Sequence, residues 1–304
     1  MLSQVEAGDM TSSQLDILLS EPGRYSEWQV LSAMPKQFDR MIGHENRDVV
    51  LGSTKAWAIL ASSLRPMIYD PSILRSIAPN AWAVFLPHYQ YMTLDAPGNL
   101  ITWANALSPG VRDVTSSSAG IRPAVRPGLS ALPYQPVPVF DGTDDYMRCV
   151  TAFNQPVAYS IFVVYRRVAS VYGQGIVGSG TGNPSQGFYA FGDGPTSMAY
   201  MANEYNYRFT NSPAAPQGQW GFSRFRRESA ALLYHSLNGG EESPASENPT
   251  SIPTFNTNPL DIGRAWLQYM NGPIAEVWLI AGNGAADSPE IQRVTNMLKV
   301  KYNL

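Results

Sequence analysis

The chain has 304 residues, is 44% hydrophobic, and carries 21 Lys and Arg against 24 Asp and Glu for a formal net charge of -3. That apolar content over that length sustains a packed core. Only 15% of residues are charged, which excludes the broad basic footprint of a nucleic-acid-binding protein.

The first 80 residues carry helical spacing. In residues 12–20, Leu15, Leu18 and Leu19 fall at i, i+3 and i+4 behind hydroxyl residues suited to capping. Pro22-Gly23 stops that helix. Tyr25, Trp28 and Leu31 before Pro35, and Phe38, Met41 and Ile42 after it, predict two further short helices. A longer helix is expected over 48–64 and another after Pro71, with Ile73, Leu74 and Ile77 inward; Pro79-Asn80 closes the region. Helices this short need something to pack on. Trp28 and Trp57 are therefore either core anchors or contacts to a neighbouring subunit.

From residue 81 the period becomes two. Strands are expected at 81–86, 99–103, 157–165, 174–177, 187–191, 198–202, 205–209, 219–225, 230–237, 260–264 and 274–281. The 157–165 segment, apolar on both faces, is expected to be central. Residues 123–138 are Pro-rich and read as extended and irregular, and Asn238-Gly239-Gly240 signals a hairpin. Ser288 and Pro289 open a final helix with Ile291, Val294, Leu298 and Tyr302 on one face. Many short strands with helix only at the ends predict a mainly β fold, a two-sheet antiparallel jelly-roll sandwich (81–304) with a C-terminal helix, preceded by a short helical region (1–80).

Cys149 is the sole cysteine, so no intrachain disulfide forms; its alternating apolar context suits a buried thiol. No basic-then-apolar leader opens the chain and no stretch approaches the about 20 apolar residues of a membrane span. The expectation is a soluble protein made in the cytoplasm, with no membrane or nucleic-acid partner. The run Arg224-Phe225-Arg226-Arg227 reads as a solvated strand or loop face.

Trp103-Ala104-Asn105, Arg122-Pro123, the run from Val139 through Phe140-Asp141-Gly142-Thr143-Asp144-Asp145 to Tyr146, Ile262-Gly263-Arg264, Gly272-Pro273-Ile274-Ala275-Glu276-Val277 and the terminal helix ending in Lys301-Tyr302 occur in that order. In order and spacing they resemble the laminin-G-like, concanavalin A-like jelly-roll domains of bacteriophage virion proteins, over about residues 81–304. The N-terminal segments 18–28 and 56–63 resemble phage tail and capsid-associated proteins. The resemblance implies a non-enzymatic virion component, a capsid decoration or tail protein assembled in the host cytoplasm. Its helical region, with Trp28 and Trp57, would attach to other virion proteins while the sandwich is displayed. It also implies a homo-oligomer, a trimer being a common form.

The residues themselves offer three site chemistries. A glycosidase needs paired carboxylates, at i and i+2 or i+4 if one strand carries them; no Glu-x-Asp-x-Glu arrangement appears, and Glu241-Glu242 and Glu276 do not supply one. His44, His88 and His235 are scattered and accompany no nucleophile elbow. Asp141, Asp144 and Asp145 are a calcium candidate that competes with a plain Asp-Gly turn, and the turn is the preferred reading. Gly178-Ser179-Gly180-Thr181-Gly182 lacks the lysine of a phosphate loop. The aromatic stretch 188–225 suits glycan recognition, since flat rings stack on sugar faces and Asn or Arg donors fix hydroxyls. Half or more of the rings in this stretch are expected to fill the core, and Tyr205, Tyr207 and Trp220, with Arg208 as donor, are the expected exposed set. No cofactor is expected; a host surface glycan is the expected ligand of this alternative, carbohydrate-binding reading.

Overall fold

Alternating short strands can bury their apolar faces only by stacking two sheets, and this chain does so. The computed structural model describes residues 71–127, 136–149, 151, 158–168, 172–179, 188–193, 198–202, 213–229, 232–244, 259–265, 268–282, 288–302 and 304. The helices expected before residue 71 and the strand expected at 205–209 fall outside these residues.

The elements run α1 (Pro71–Ile77), β1 (Ala81–Phe85), β2 (Met92–Leu94), β3 (Leu100–Trp103), β4 (Val114–Thr115), β5 (Ala124–Pro127), β6 (Pro136–Asp141), β7 (Met147–Cys149), β8 (Tyr159–Arg166) and β9 (Tyr172–Ser179). They continue with β10 (Phe188–Asp193), β11 (Met198–Ala202), β12 (Trp220–Arg227), β13 (Leu233–Leu237), β14 (Ser243–Pro244), β15 (Leu260–Ile262), β16 (Arg264–Ala265), β17 (Gln268–Tyr269), β18 (Asn271–Ala281) and α2 (Pro289–Tyr302). The first sheet has the order β14-β13-β12-β8-β18-β6-β5, with β1 also on β18; the second has the order β11-β10-β9-β15-β7-β4-β3-β2. Their pairings are antiparallel, as expected for the sandwich. The 157–165 prediction is met by β8, central between β12 and β18 and fully buried except at Arg166.

Aromatic side chains join the two sheets. Phe85 from the first packs on Trp103 from the second, ring centroids 5.7 Å apart, and Trp103 Nε1 donates to Leu86 O at 2.9 Å. At another point Phe140 lies against Gly263, where a Cβ would come within 2.2 Å of the ring; Gly263 also has φ +85°. Only glycine meets both demands at once.

Helix α2 covers the outward face of the first sheet. Ser288 Oγ accepts from Ile291 N at 3.3 Å as its N-cap, and Ile291, Val294, Leu298 and Tyr302 are buried as their spacing predicts. Each such side chain contributes about 1.5–3 kcal/mol. Glu276, fully buried on β18, takes bonds from Lys301 Nζ, Tyr302 OH and Trp278 Nε1 and fastens the helix to the sheet. Short α1 packs in the same core through Leu74 and Ile77; Asn80 donates to the Glu290 carboxylate, and Arg293 Nε donates to Ile77 O. Residues 71–80 therefore pack with the sandwich that follows them.

Two local expectations are corrected. The Pro-rich passage is not irregular throughout: β5 and β6 pair in register from Ala124↔Val139 to Pro127↔Pro136. Pro127 lies on β5, the sheet's edge, and Pro136 and Pro138 precede the β6 residues, Val139 to Asp141, that pair with β18. Nor is Arg224-Phe225-Arg226-Arg227 a solvated face. It is the end of β12, with Arg224 and Arg226 both bonded to Glu242, Arg226 also to Glu228, and Arg227 fully buried with Nε on Ser229 O. A strand covered on both sides buries its charges, and Glu242 pairs with Arg224 and Arg226 there.

Candidate functional site

The second sheet keeps a polar outward face. Register places Thr93 opposite Thr102, Thr102 opposite Thr115, Thr115 opposite Arg148, Arg148 opposite Asp261, and Asp261 opposite Gly178. Residues opposite one another share a face, so these form one row across the strands. Their neighbours Met147, Cys149, Leu260 and Ile262 point inward and are fully buried. Thr93 and Thr115 are exposed.

Arg148 and Asp261 are the charged centre of this row. Arg148 Nε and Nη2 donate to the two Asp261 oxygens at 2.7 and 3.0 Å, a fork-to-fork pair. Arg264, just beyond β15, donates to Asp261 Oδ2 through Nε at 3.0 Å and Nη2 at 2.6 Å. The Asp261 side chain is 2% exposed, those of Arg264 and Arg148 14% and 27%: the carboxylate is enclosed and the guanidiniums reach the surface. Hydrogen bonds to Asp261 raise Arg148 above the ordinary arginine value against the opposing effect of burial. Burial works against the charge on Arg264, and attraction and hydrogen bonds to Asp261, with one to Tyr269, more than offset it.

An aromatic side chain completes the cluster. The half-buried Tyr146 ring has Arg264 Cζ 3.9 Å and Arg148 Cζ 5.3 Å from its centroid, and Tyr269 6.5 Å away. The β16–β17 hairpin that carries Arg264 and Tyr269 lies on β9 at Gly175, where a Cβ would fall 2.1 Å from Gln268 O and 2.2 Å from Ala265 N. Glycine is what lets the hairpin seat. The cluster offers guanidinium donors, hydroxyls and rings on one rigid surface, the vocabulary of polar-ligand recognition.

Of the residues predicted from sequence, Trp220 and the three aspartates fall among the described residues. Tyr205, Tyr207, Arg208, Trp28 and Trp57 lie outside the described residues. Trp220, half-buried at the start of β12, has the Arg166 guanidinium 5.6 Å from its ring centroid and belongs to the opposite sheet from Arg148. Asp141, Asp144 and Asp145 do come together, with oxygens within 4.8 Å of one another. They also form a turn: Asp141 Oδ1 accepts from Thr143 N and Asp144 N, Asp145 Oδ2 accepts from Asp141 N, and Gly142 has φ +82°. Burial and the neighbouring Asp141 charge raise Asp145 to about 6.

His235, one of the three scattered histidines, is packed in the interior. Its Nε2 lies 3.0 Å from Ser223 Oγ, which lies 3.0 Å from Tyr165 OH. The spacing is that of a nucleophile and its base, but all three are fully buried between the sheets, so the group ties β8, β12 and β13 together. Sequence reasoning missed Arg148, Asp261 and Arg264 as a site because Arg148 and Asp261 stand 113 residues apart. The available signal was one charge set between buried apolar neighbours in Met147-Arg148-Cys149 and Leu260-Asp261-Ile262.

We find no family model and no curated protein that matches the sequence. Among solved structures, the chain is similar to domain 4 of AbnA, a GH43 extracellular arabinanase from Geobacillus stearothermophilus, in complex with arabinotriose. The identity is 17%, the match covers 71% of this chain and 98% of that one, and the TM-score is 0.51. It is also similar to the Ruminococcus gnavus IT-sialidase CBM40 bound to α2,3-sialyllactose (13% identity, 52% and 96% covered, TM-score 0.41) and to Trypanosoma rangeli sialidase (10%, 73% and 33%, TM-score 0.48). At 17% identity the likeness to the AbnA domain shows the fold alone, a β-sandwich.

Proposed function

We propose that this chain is a non-enzymatic carbohydrate-binding module whose site is the outward face of the second sheet around Tyr146, Arg148, Asp261 and Arg264. The observation that carries the reading is the contrast between the two faces: α2 covers that of the first sheet, while the second presents a bidentate Arg–Asp pair, a tyrosine and a row of threonine hydroxyls. The AbnA domain, matched over 98% of its length and in complex with arabinotriose, supports the class of ligand. Glycosidase chemistry asks for two carboxylates across a scissile bond. On this face Asp261 is held by two arginines, which suits fixing donors better than proton transfer.

The test is a glycan microarray of the purified chain, followed by titration of the hits against variants whose folding is checked by circular dichroism. Tyr146→Ala and Arg148→Ala are expected to weaken binding at least tenfold, and Trp220→Ala to leave it unchanged. Loss with Trp220→Ala alone would move the site to the aromatic set around Tyr205, Tyr207 and Arg208. The resemblance to phage proteins adds a setting, display on a virion, in which residues 1–70 attach the module to the capsid or tail. Deleting residues 1–70, which spares α1, should abolish incorporation into particles and leave a folded sandwich; a truncated protein that still assembles would remove that setting.

A further inference from the structure

We infer that the ligand of this face carries an anionic group, so that the site selects carboxylated sugars, uronates or sialates, over neutral ones; the inference rests on the carbohydrate-binding reading above. One arginine would neutralise Asp261, yet two converge on it. The pairing leaves one uncompensated positive charge on a surface whose nearest row members, Thr115 and Thr102, are neutral. Arg148 spends Nε and Nη2 on Asp261, and its Nη1 has no hydrogen-bond partner among the described residues. That edge belongs to a side chain that is 27% exposed.

Orientation is fixed before any ligand arrives. The fork on Asp261 sets the plane of the Arg148 guanidinium, and Tyr146, within 5.3 Å of Arg148 Cζ and 3.9 Å of Arg264 Cζ, holds both cations in place. A planar donor edge held rigidly matches a carboxylate better than a lone hydroxyl, because charge-assisted bonds to guanidinium are the stronger kind. The threonine row then offers hydroxyls to the neutral remainder of the sugar. Of the acids in the turn before Tyr146, Asp145 accepts from Asp141 N and Asp141 accepts from Thr143 N and Asp144 N, while Asp144 stands beside Asp145 in the same turn.

The full chain is titrated with tetragalacturonate and its carboxyl-reduced neutral counterpart, and with 3′-sialyllactose and lactose, at about 0.05 M and about 0.5 M salt, where charge screening differs strongly. The expected result is at least tenfold tighter binding of one acidic member over its neutral partner at low salt. That preference should shrink at high salt and disappear in Arg148→Gln, whose Asp261 keeps Arg264 as partner. Equal or tighter binding of the neutral partners, or a preference indifferent to salt, overturns the inference while leaving a glycan-binding site. Binding of none of the four, together with an empty array, overturns the carbohydrate reading itself. The salt series on the wild-type chain decides the matter even if the variant fails to fold.

Discussion

Acid should destabilise this sandwich through one interior histidine. Burial, and secondarily the Arg224 charge, hold His235 down to about 3, against 6.5 in an unfolded chain. Its folded value lies below its unfolded value, so the unfolded state takes the proton first; the stability is fully present above pH 6.5 and is lost as pH falls toward 3. Linkage between those two values gives a loss of about 3 kcal/mol from pH 7 to pH 4, a large part of a typical domain's stability. The matched control is His235→Phe, which keeps a ring against Phe225, 5.0 Å away, and leaves Ser223 its bond to Tyr165. The variant loses a buried hydrogen bond at every pH, but it should lack the histidine's share of the pH slope. Urea unfolding followed by tryptophan fluorescence at pH 7, 5.5 and 4 reads the difference. Parallel losses in the two proteins would refute the reasoning, because all other titrating groups are common to both.

Three further substitutions probe the packing. Gly175→Ala would set a methyl 2.1 Å from Gln268 O; it should cost about 1–3 kcal/mol as overpacking, and hydrogen exchange across 264–269 should quicken as the hairpin lifts. Asp145→Asn should raise the melting temperature at pH 7, worth about 1 kcal/mol after solvent screening. The raised value of about 6 means that the charge costs stability at neutrality, and the gain should vanish once pH falls below 4. Glu276→Ala strands Lys301, whose side chain is 9% exposed, and the Tyr302 hydroxyl beneath α2. Removing one partner of a buried pair costs about 3–5 kcal/mol, to be read as a lower urea midpoint.

The sandwich was legible because a strand covered on both faces reads as a short apolar run and a helix packed on one face keeps a period of 3.6; residues 159–166 are such a run and residues 289–302 keep that spacing. The 141–145 turn was legible too, since Asp-Gly chemistry is local. What local patterns could not reveal is which distant charges meet. Arg148 and Asp261 are joined only by β7–β15 register, and register depends on every strand between them. The Arg224-Arg226 pair misled for a related reason. Whether a basic strand is solvated depends on what folds over it, and Glu242 reaches both from beyond the next turn.

The threonine row supplies its own control for whether Arg148 and Asp261 serve the fold or a ligand. Thr102 and Thr115 occupy equivalent opposed positions on the same face of adjacent strands and hold the sheet there without charge. Enclosing the Asp261 carboxylate carries a desolvation cost that paired arginines commonly only balance, so such a pair is weak evidence for stability. Replacing Arg148 and Asp261 together by threonine, in an Arg264→Gln background that leaves no cation stranded, extends the row by two hydroxyls and removes the enclosed charge with its partners. Stability should change by no more than about 1 kcal/mol, the range for β-branched residues exchanged on a sheet face, while glycan binding is lost. If the double variant instead unfolds several kcal/mol more easily, the pair is a structural clamp, and the open face has no need of a ligand to explain it.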